Sequence, residues 1–564
     1  MARKVRIAHM AGPTATIQNS PPLVTSNKAR LKYGLPPRNA ETGAPLRFDA
    51  LRAQRLAAPA KVYVEQFSAH PLEADAAELY GPPDGYMDAK GVVSTTRRSA
   101  SDKPVYEVEL KPEDGLYPLP YMARQADGRP WEEEVADAGG PETVARQGFY
   151  PDGSRSFEEV DRLSVDEQGL AGVLSSVADI DFFRVLPPSG YTKGLAAAAR
   201  SDEGEGDIPA ERRRHEFFPY KPYHLSSAPP RPALARVTNR VAAIAANPDY
   251  EGLMWTQGSP QVEECAYWFN LLIDTTKPIA CNSAQRPHGQ ISNDGPHNLR
   301  DSVRYIASHV WDDGAGRNRL GTLVIQEQQY FAAREVAKTD ARPGNYRATG
   351  GHGGILGQIS HLGNIAVMYL PAYKHTWMSD VRLTVLPDTA EAVVARAGKI
   401  ERVPVRIKQD GLLQENAIPS VSILKDGSFV GDDWGDDPER EGDFKALIAH
   451  KLSLGRLAGF VVEGTVPYGK FTSAARYRLG LRAAFSGLPI VRVGRGYAEG
   501  FADPEPYSIA GSNLTGTKAR LLLMAAMMKL GSFPVAADPD NPTAAEREAT
   551  KKAVLAYQEI FNTH

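Results

Sequence analysis

From residue 232 onward, hydrophobic and polar positions alternate between two periods. The segment "ALARVTNRVAAIAANP" carries apolar residues at helical spacing, and "YEGLMWTQG" is a short apolar run of strand length. Next, "PQVEECAYWFNLLI" returns to helical spacing with Pro260 at its first turn, where a missing N–H costs nothing. "KPIACNSA" predicts a strand, "DGPHNLRDSVRYIASHVW" a helix and "GTLVIQEQQYFAA" a strand. Strands alternating with helices predict a parallel, doubly wound α/β sheet. Near the N-terminus, Lys4 to Met10 alternates and then enters "AGPTATI", which reads as a strand followed by a turn.

A less regular stretch runs from about Val385 to Glu415, after which the rhythm resumes. "SVSILK", "GFVVEGTVP" and "PIVRVGRG" read as strands. "REGDFKALIAHKLSLG", "FTSAARYRLGLRAAFSG" and "TGTKARLLLMAAMMKLG" read as helices. This second set predicts a smaller α/β domain over residues 415–564. The first domain is expected to comprise residues 1–70 and 232–400. Between them, residues 71–231 are dense in Pro, Gly, Asp and Glu, as in "ELYGPPDGYMDAKG", and are expected to form an irregular insertion with little core of its own.

Bulk properties narrow the function. The 564 residues are 42% hydrophobic and 24% charged, a globular composition, and the length suggests two to four domains. The formal net charge of -3 implies no basic surface for nucleic acid. No run of about 18 apolar residues occurs, so no membrane helix is expected, and the basic start lacks the apolar stretch of a secretory signal. Cys265 and Cys281 sit in apolar segments without metal-ligand spacing. No metal or cofactor is therefore expected, and a reducing, cytoplasmic setting is.

The stretch "GLMWTQGSPQVEECAYWFNLLIDTTKPIACNSAQRPHGQISNDGPHNL" resembles the central region of the L-asparaginase/glutaminase amidohydrolases. There a strand runs into HGTDT, a helix with EE-x-AY follows, and later segments read GAMRP and SxDGPxNL. "REVAKTDA" is similar to the segment around that family's catalytic lysine, "GGILGQI" to its PLG turn and "YKHTWMSD" to its KHT segment. "GFVVEGT" and "GSNLTGTKARLLLMAAMMKLG" resemble its second domain. Residues 71–231 have no counterpart in that family.

The resemblance implies hydrolysis of a carboxamide C–N bond by a threonine nucleophile in a two-domain asparaginase-like fold. It also implies assembly as a homo-dimer or homo-tetramer. Two alignments of "AGPTATI" on the family's TGGTI leave Thr14 and Thr16 both open as nucleophile. Tyr33 falls near the tyrosine of the family's mobile loop. Ser259 takes the place of the second catalytic threonine and keeps a hydroxyl, while Lys338 takes the place of the lysine base. A lysine serves as base only where burial or neighbouring charge favours its neutral form. Gly258, Pro260, Gln285 and Arg495 are the expected substrate-facing positions. Pro260 stands where the family has an aspartate that contacts the substrate amino group. A substrate other than free asparagine or glutamine, such as a larger or cyclic amide, is expected in consequence. The alternatives are a ligand-binding chain that has lost catalysis and a scaffold whose insertion binds a partner.

Overall fold

In the computed structural model, residues 3–12, 15, 24–25, 49–50, 54–55, 60–67, 79–89, 92–110, 116–117, 124–125, 160, 164, 173–186, 229–259, 261–286, 292–339, 346–348, 354–427, 436–466, 468–495, 502 and 504–564 are described. Among these, an eight-stranded sheet forms the larger body. Five of its strands are parallel: β1 (Val5–Ala11), β2 (Ala178–Arg184), β3 (Gly252–Thr256), β4 (Ile279–Asn282) and β5 (Thr322–Gln326). The sheet continues antiparallel through β6 (Gln329–Ala332). The short hairpin β7 (Val336–Lys338) and β8 (Tyr346–Ala348) stands apart, and the sheet closes with β9 (Ile355–Ile359) and β10 (Ile365–Val367). Across the sheet the order is β2-β1-β3-β4-β5-β6-β9-β10.

The parallel part is doubly wound as expected. Its strands lie in the order 2-1-3-4-5, so the chain reverses direction between β1 and β3. Ligands of open α/β sheets bind outside the carboxyl ends of the strands at such a switch point. Here it falls between the end of β1, at Ala11-Gly12, and the end of β3, at Thr256. Gly12 lets the two ends approach: its N–H donates to Thr256 O at 2.8 Å, and a Cβ there would meet the Trp255 ring at 2.5 Å.

Helices α1 (Ala233–Ala246), α2 (Val262–Leu272) and α3 (Gly295–Ser308) cover the faces. Pro260, expected at the first turn of α2, lies outside the described residues. In the second set, the three strands and three helices read from the sequence are present, accompanied by elements it did not mark. A hairpin of β11 (Thr389–Arg396) and β12 (Lys399–Arg406) precedes four parallel strands, β13 (Ser420–Lys425), β14 (Ala458–Gly464), β15 (Ile490–Gly494) and β16 (Ile509–Ala510). Packed on them are α4 (Gly442–Ser453), α5 (Ala474–Phe485), α6 (Gly516–Leu530) and α7 (Ala544–Thr563). One apolar core joins the two bodies, running from Trp255, Trp268 and Phe269 through Leu457 and Val491 to Leu522 and Met527.

The stretch expected to be irregular contains ordered sheet. Strand β2 lies within it and forms the outer edge of the main sheet against β1. Arg6 on β1 pairs with Asp181 on β2 at 2.8 Å, and the Tyr250 hydroxyl donates to the same carboxylate at 2.9 Å. Strand Lys103–Leu110 belongs to a separate five-stranded antiparallel sheet with Ala60–Val64 and Gly85–Met87. Val105 to Leu110 already reads as strand-like in the sequence, whereas Ala178–Arg184 is set among turn-rich residues that mask its place in the main sheet.

Candidate functional site

Strand β3 ends at Thr256, and the chain passes through Gln257, Gly258 and Ser259 straight into α2. The Gly258 carbonyl closes the turn by accepting from Gln261 N at 3.0 Å and Val262 N at 3.1 Å. This strand-to-helix turn holds Ser259, whose exposure is 9%. Lys338, at the end of β7, brings its Nζ to 2.5 Å from Ser259 Oγ. The main-chain N–H of Lys338 donates to Glu263 Oε2 at 2.5 Å, so the first turn of α2 also holds the lysine backbone. Burial pushes the Glu263 carboxyl up, opposed by the charge of Lys518 and the Lys338 amide.

Lys518 comes from α6 of the second body. It is wholly buried, and its Nζ donates to Glu263 O at 2.6 Å and Ala333 O at 2.7 Å. Desolvation brings this lysine down to about 8. Arg520 on the same helix pairs with Glu264 at 2.7 Å. The first turn of α2, next to Ser259, and Ala333, three residues before β7, are thus both fastened to α6.

Beneath the strand ends runs a buried polar line. His9 Nε2 lies 2.8 Å from Thr256 Oγ1, Thr256 Oγ1 donates to Asn282 Oδ1 at 2.7 Å, and Asn282 Nδ2 donates to Ser302 Oγ at 3.1 Å. The Thr256 proton is committed to Asn282, so Nε2 of His9 is the donor in the first contact. The line ties β1, β3, β4 and α3 together below the switch point and satisfies groups that would be costly to bury alone.

At the end of β4, Asp294 organises the neighbouring loop. It occupies the N-cap position of α3, yet its side chain makes no cap bond. Instead it accepts from Gln285 N at 2.9 Å and Arg286 N at 2.8 Å, and from the Asn298 and Gln326 side-chain amides. The carboxylate has more donors in that loop than in the helix turn, which explains its choice. Gln285 is therefore held through its backbone beside the site.

The structure brings Ser259, Gly258 and Lys338 together, with the Gln285 loop on the adjacent strand end. Arg495 lies at the end of β15 in the other sheet, its N–H on Gly464 O at 2.9 Å and its guanidinium over Gly427. Thr14, Thr16, Tyr33 and Pro260 lie outside the described residues. Gly12 and Ala15, which bracket Thr14 in the chain, are joined by a 3.1 Å bond from Ala15 N to Gly12 O, directly beyond β1. Among the described residues no three His, Cys, Asp or Glu side chains gather to hold a metal ion. Nor is any helix among them long and apolar enough to cross a membrane.

Sequence reasoning missed Tyr346. Its hydroxyl donates to the main-chain oxygen of Ser259 and lies 3.1 Å from Ser283 Oγ. The available signal was "RPGN" between "REVAK" and "YRAT", a turn cluster between two short strand-like pieces.

Fold and site together define an α/β protein with a serine–lysine pair at the switch point of a parallel sheet. Residues 210–348 match the family model described as "Asparaginase, N-terminal". It is 33% identical over 107 residues to L-asparaginase 2 of Bacillus subtilis (strain 168), covering 19% of this chain and 27% of that protein. With L-asparaginase 2 of Escherichia coli (strain K12) it is 35% identical over 132 residues, 22% of this chain and 34% of that one. With the glutaminase-asparaginase of Pseudomonas fluorescens biotype A it is 29% identical over 167 residues, 29% of this chain and 42% of that one. The chain thus matches between about a quarter and two fifths of the length of these curated relatives. Among solved structures, the probable cytoplasmic L-asparaginase from Campylobacter jejuni superposes with a TM-score of 0.43 at 21% identity, over 69% of this chain and 88% of that one.

Proposed function

We propose that this chain hydrolyses the C–N bond of a carboxamide by attack of a hydroxyl. The observation that carries the reading is the 2.5 Å contact between Lys338 Nζ and Ser259 Oγ at the switch point. With the lysine neutral, this contact is the path by which the hydroxyl proton leaves. The hydroxyl oxygen then bonds to the amide carbon, the C–N bond breaks, and the amine departs with a proton returned from Lys338. Water releases the acyl group in a second, equivalent step.

Family resemblance assigns the attack to Thr14 or Thr16 and makes Ser259 with Lys338 the proton relay. A second reading gives the attack to Ser259 itself, and it is favoured by the direct approach of Lys338 to its hydroxyl. The proposal also takes the chain to be cytoplasmic and homo-oligomeric, with residues 1–70 and 232–400 forming the catalytic domain together with β2, the rest of 71–231 an insertion and 415–564 the second domain.

The substrate proposed is an amide without a free α-ammonium group. Pro260 offers no charge for such a group, and a charged hydrogen bond to an ammonium contributes about 1.5–3 kcal/mol. Free L-asparagine should therefore bind about tenfold to a few hundredfold less tightly than to a site with the aspartate, and N-acetyl-L-asparagine or a lactam of similar size should be preferred. Ammonia or amine release from this panel, compared with the Ser259→Ala, Thr14→Ala and Thr16→Ala variants, tests activity and nucleophile together. Efficient turnover of free asparagine overturns the substrate reading. Full activity in Ser259→Ala overturns the role of the serine–lysine pair.

A further inference from the structure

Lys338 and Tyr346 are register partners across the β7–β8 hairpin. Residues directly opposite in an antiparallel pair project to the same face, with Cβ atoms about 4.5–5.5 Å apart. Here both side chains of the pair end on one residue. Lys338 reaches the hydroxyl of Ser259, and Tyr346 donates to its main-chain oxygen. Tyr346 is 4% exposed, and its phenol is pushed up to about 12, chiefly by burial, so it keeps the proton it donates.

The same phenol ties the Ser259 turn to the next strand end. It lies 3.1 Å from Ser283 Oγ, and Ser283 donates to Gln326 Oε1 at 3.2 Å. The Gln326 amide in turn donates to Asp294, which holds the Gln285 and Arg286 amides. Polar contacts therefore run from the turn after β3 to the loop after β4, the two segments that border a ligand at this end of the sheet, although the Tyr346–Ser283 contact carries no proton while both hydroxyls donate elsewhere.

We propose that the Lys338–Tyr346 pair is a two-point clamp on Ser259, in which Tyr346 is a positioning residue that fixes the Ser259 hydroxyl against the lysine nitrogen. The clamp rests on the serine–lysine reading given above and adds a residue to it. One strand pair delivers both the base and the brace, so the hydroxyl and its base keep their spacing when the hairpin moves as a unit. Without the phenol, the Ser259 carbonyl loses its donor and the turn is free to rotate the hydroxyl away from Lys338.

The test uses p-nitrophenyl acetate as an acyl donor that needs no knowledge of the natural substrate. The attacking oxygen bonds to the acetyl carbon, the aryl C–O bond breaks, p-nitrophenolate leaves with the electron pair, and the hydroxyl proton passes to Lys338. The Ser259-dependent rate is the wild-type rate less that of Ser259→Ala. Tyr346→Phe should lower this rate about tenfold. The donor concentration at half-saturation should stay within about twofold and the melting temperature within a few degrees, since the ring that fills the site remains. An unchanged Ser259-dependent rate in Tyr346→Phe overturns the clamp and leaves the serine–lysine reading standing. A wild-type rate equal to that of Ser259→Ala overturns the serine–lysine reading and the clamp with it. A slowed rate accompanied by a lowered melting temperature and an equally weakened half-saturation overturns the positioning role, by making the hydroxyl a stability element.

Discussion

Lys338→Met is expected to lower turnover by about 10²-fold or more, the usual scale for a positioned base. Methionine keeps much of the unbranched stem, and the main-chain bond to Glu263 is independent of the side chain. The fold should therefore survive while the nitrogen at Ser259 Oγ is lost. Steady-state kinetics on an amide that the wild-type chain cleaves, paired with thermal melting, measures both. Turnover within a few-fold of wild type would falsify the assignment of Lys338 as base.

Acid should destabilise this protein well before its carboxylates are protonated. His375 and His564 are 4% and 3% exposed, and burial brings both down to about 4. In the unfolded chain a histidine titrates at about 6.5. Between about pH 6.5 and 4 the unfolded state therefore binds more protons, and stability falls as pH falls through that window. Each histidine contributes about 3 kcal/mol to the loss, because every tenfold difference in proton affinity between the folded and unfolded chain is worth about 1.4 kcal/mol. The two sit in one region: the main-chain oxygen of His564 accepts from Arg334 at 2.7 Å, and its ring meets Ser379, just beyond the Lys374-His375-Thr376 segment. Denaturant unfolding at pH 7 and pH 4.5 should differ by several kcal/mol, and His375→Gln should remove about half of the difference. A flat profile for the wild-type chain would show that these rings are solvated in solution.

The α/β order was legible wherever apolar period and punctuation agreed. Helix α2 and strand β3 were marked by a change of period at Gly258-Ser259-Pro260, and α6 by its apolar run ending at Gly531. Two hairpins were not legible. "GTLVIQEQQYFAA" reads as one strand but folds as β5 and β6 about Glu327 and Gln328, which take positive φ values of 47° and 65°. The β11–β12 hairpin turns at Ala397 and Gly398, with φ values of 46° and 76°. Both turns are left-handed at both central residues, a shape usually signalled by Asn-Gly or Asp-Gly. Here most of the turn residues lack that signature, so tertiary pairing fixes a turn that local preference does not announce. Helix α7 carried an overlooked start: Thr543 and Glu546 form a capping box.

In the site, Ser259 and Lys338 were legible through resemblance, because each sits in a distinctive local string. Tyr346 and Lys518 were not, because their significance lies in pairing. Tyr346 matters as the partner of Lys338 across a hairpin, and Lys518 as a cation on a distant helix that reaches two carbonyls of the other body. One-dimensional pattern gives neither relation.

The position of β1 has a consequence for how the chain is made. It lies inside the sheet, flanked by β2 and β3, and its partner Thr256 on β3 is 247 residues downstream of His9. At about 5–20 residues per second of synthesis, the first strand emerges roughly 10–50 s before that neighbour exists. During that interval the apolar string "VRIAHMA" can gain only the β2 edge, which emerges before β3, and its β3 edge stays unpaired. Such separation also places the protein among slow folders, because long loops must close before the central contacts form. A ribosome-bound fragment ending before residue 250 should thus leave the β3 edge of its first strand open to chaperones and proteases, and protection of that edge should arrive once β3 has been synthesised.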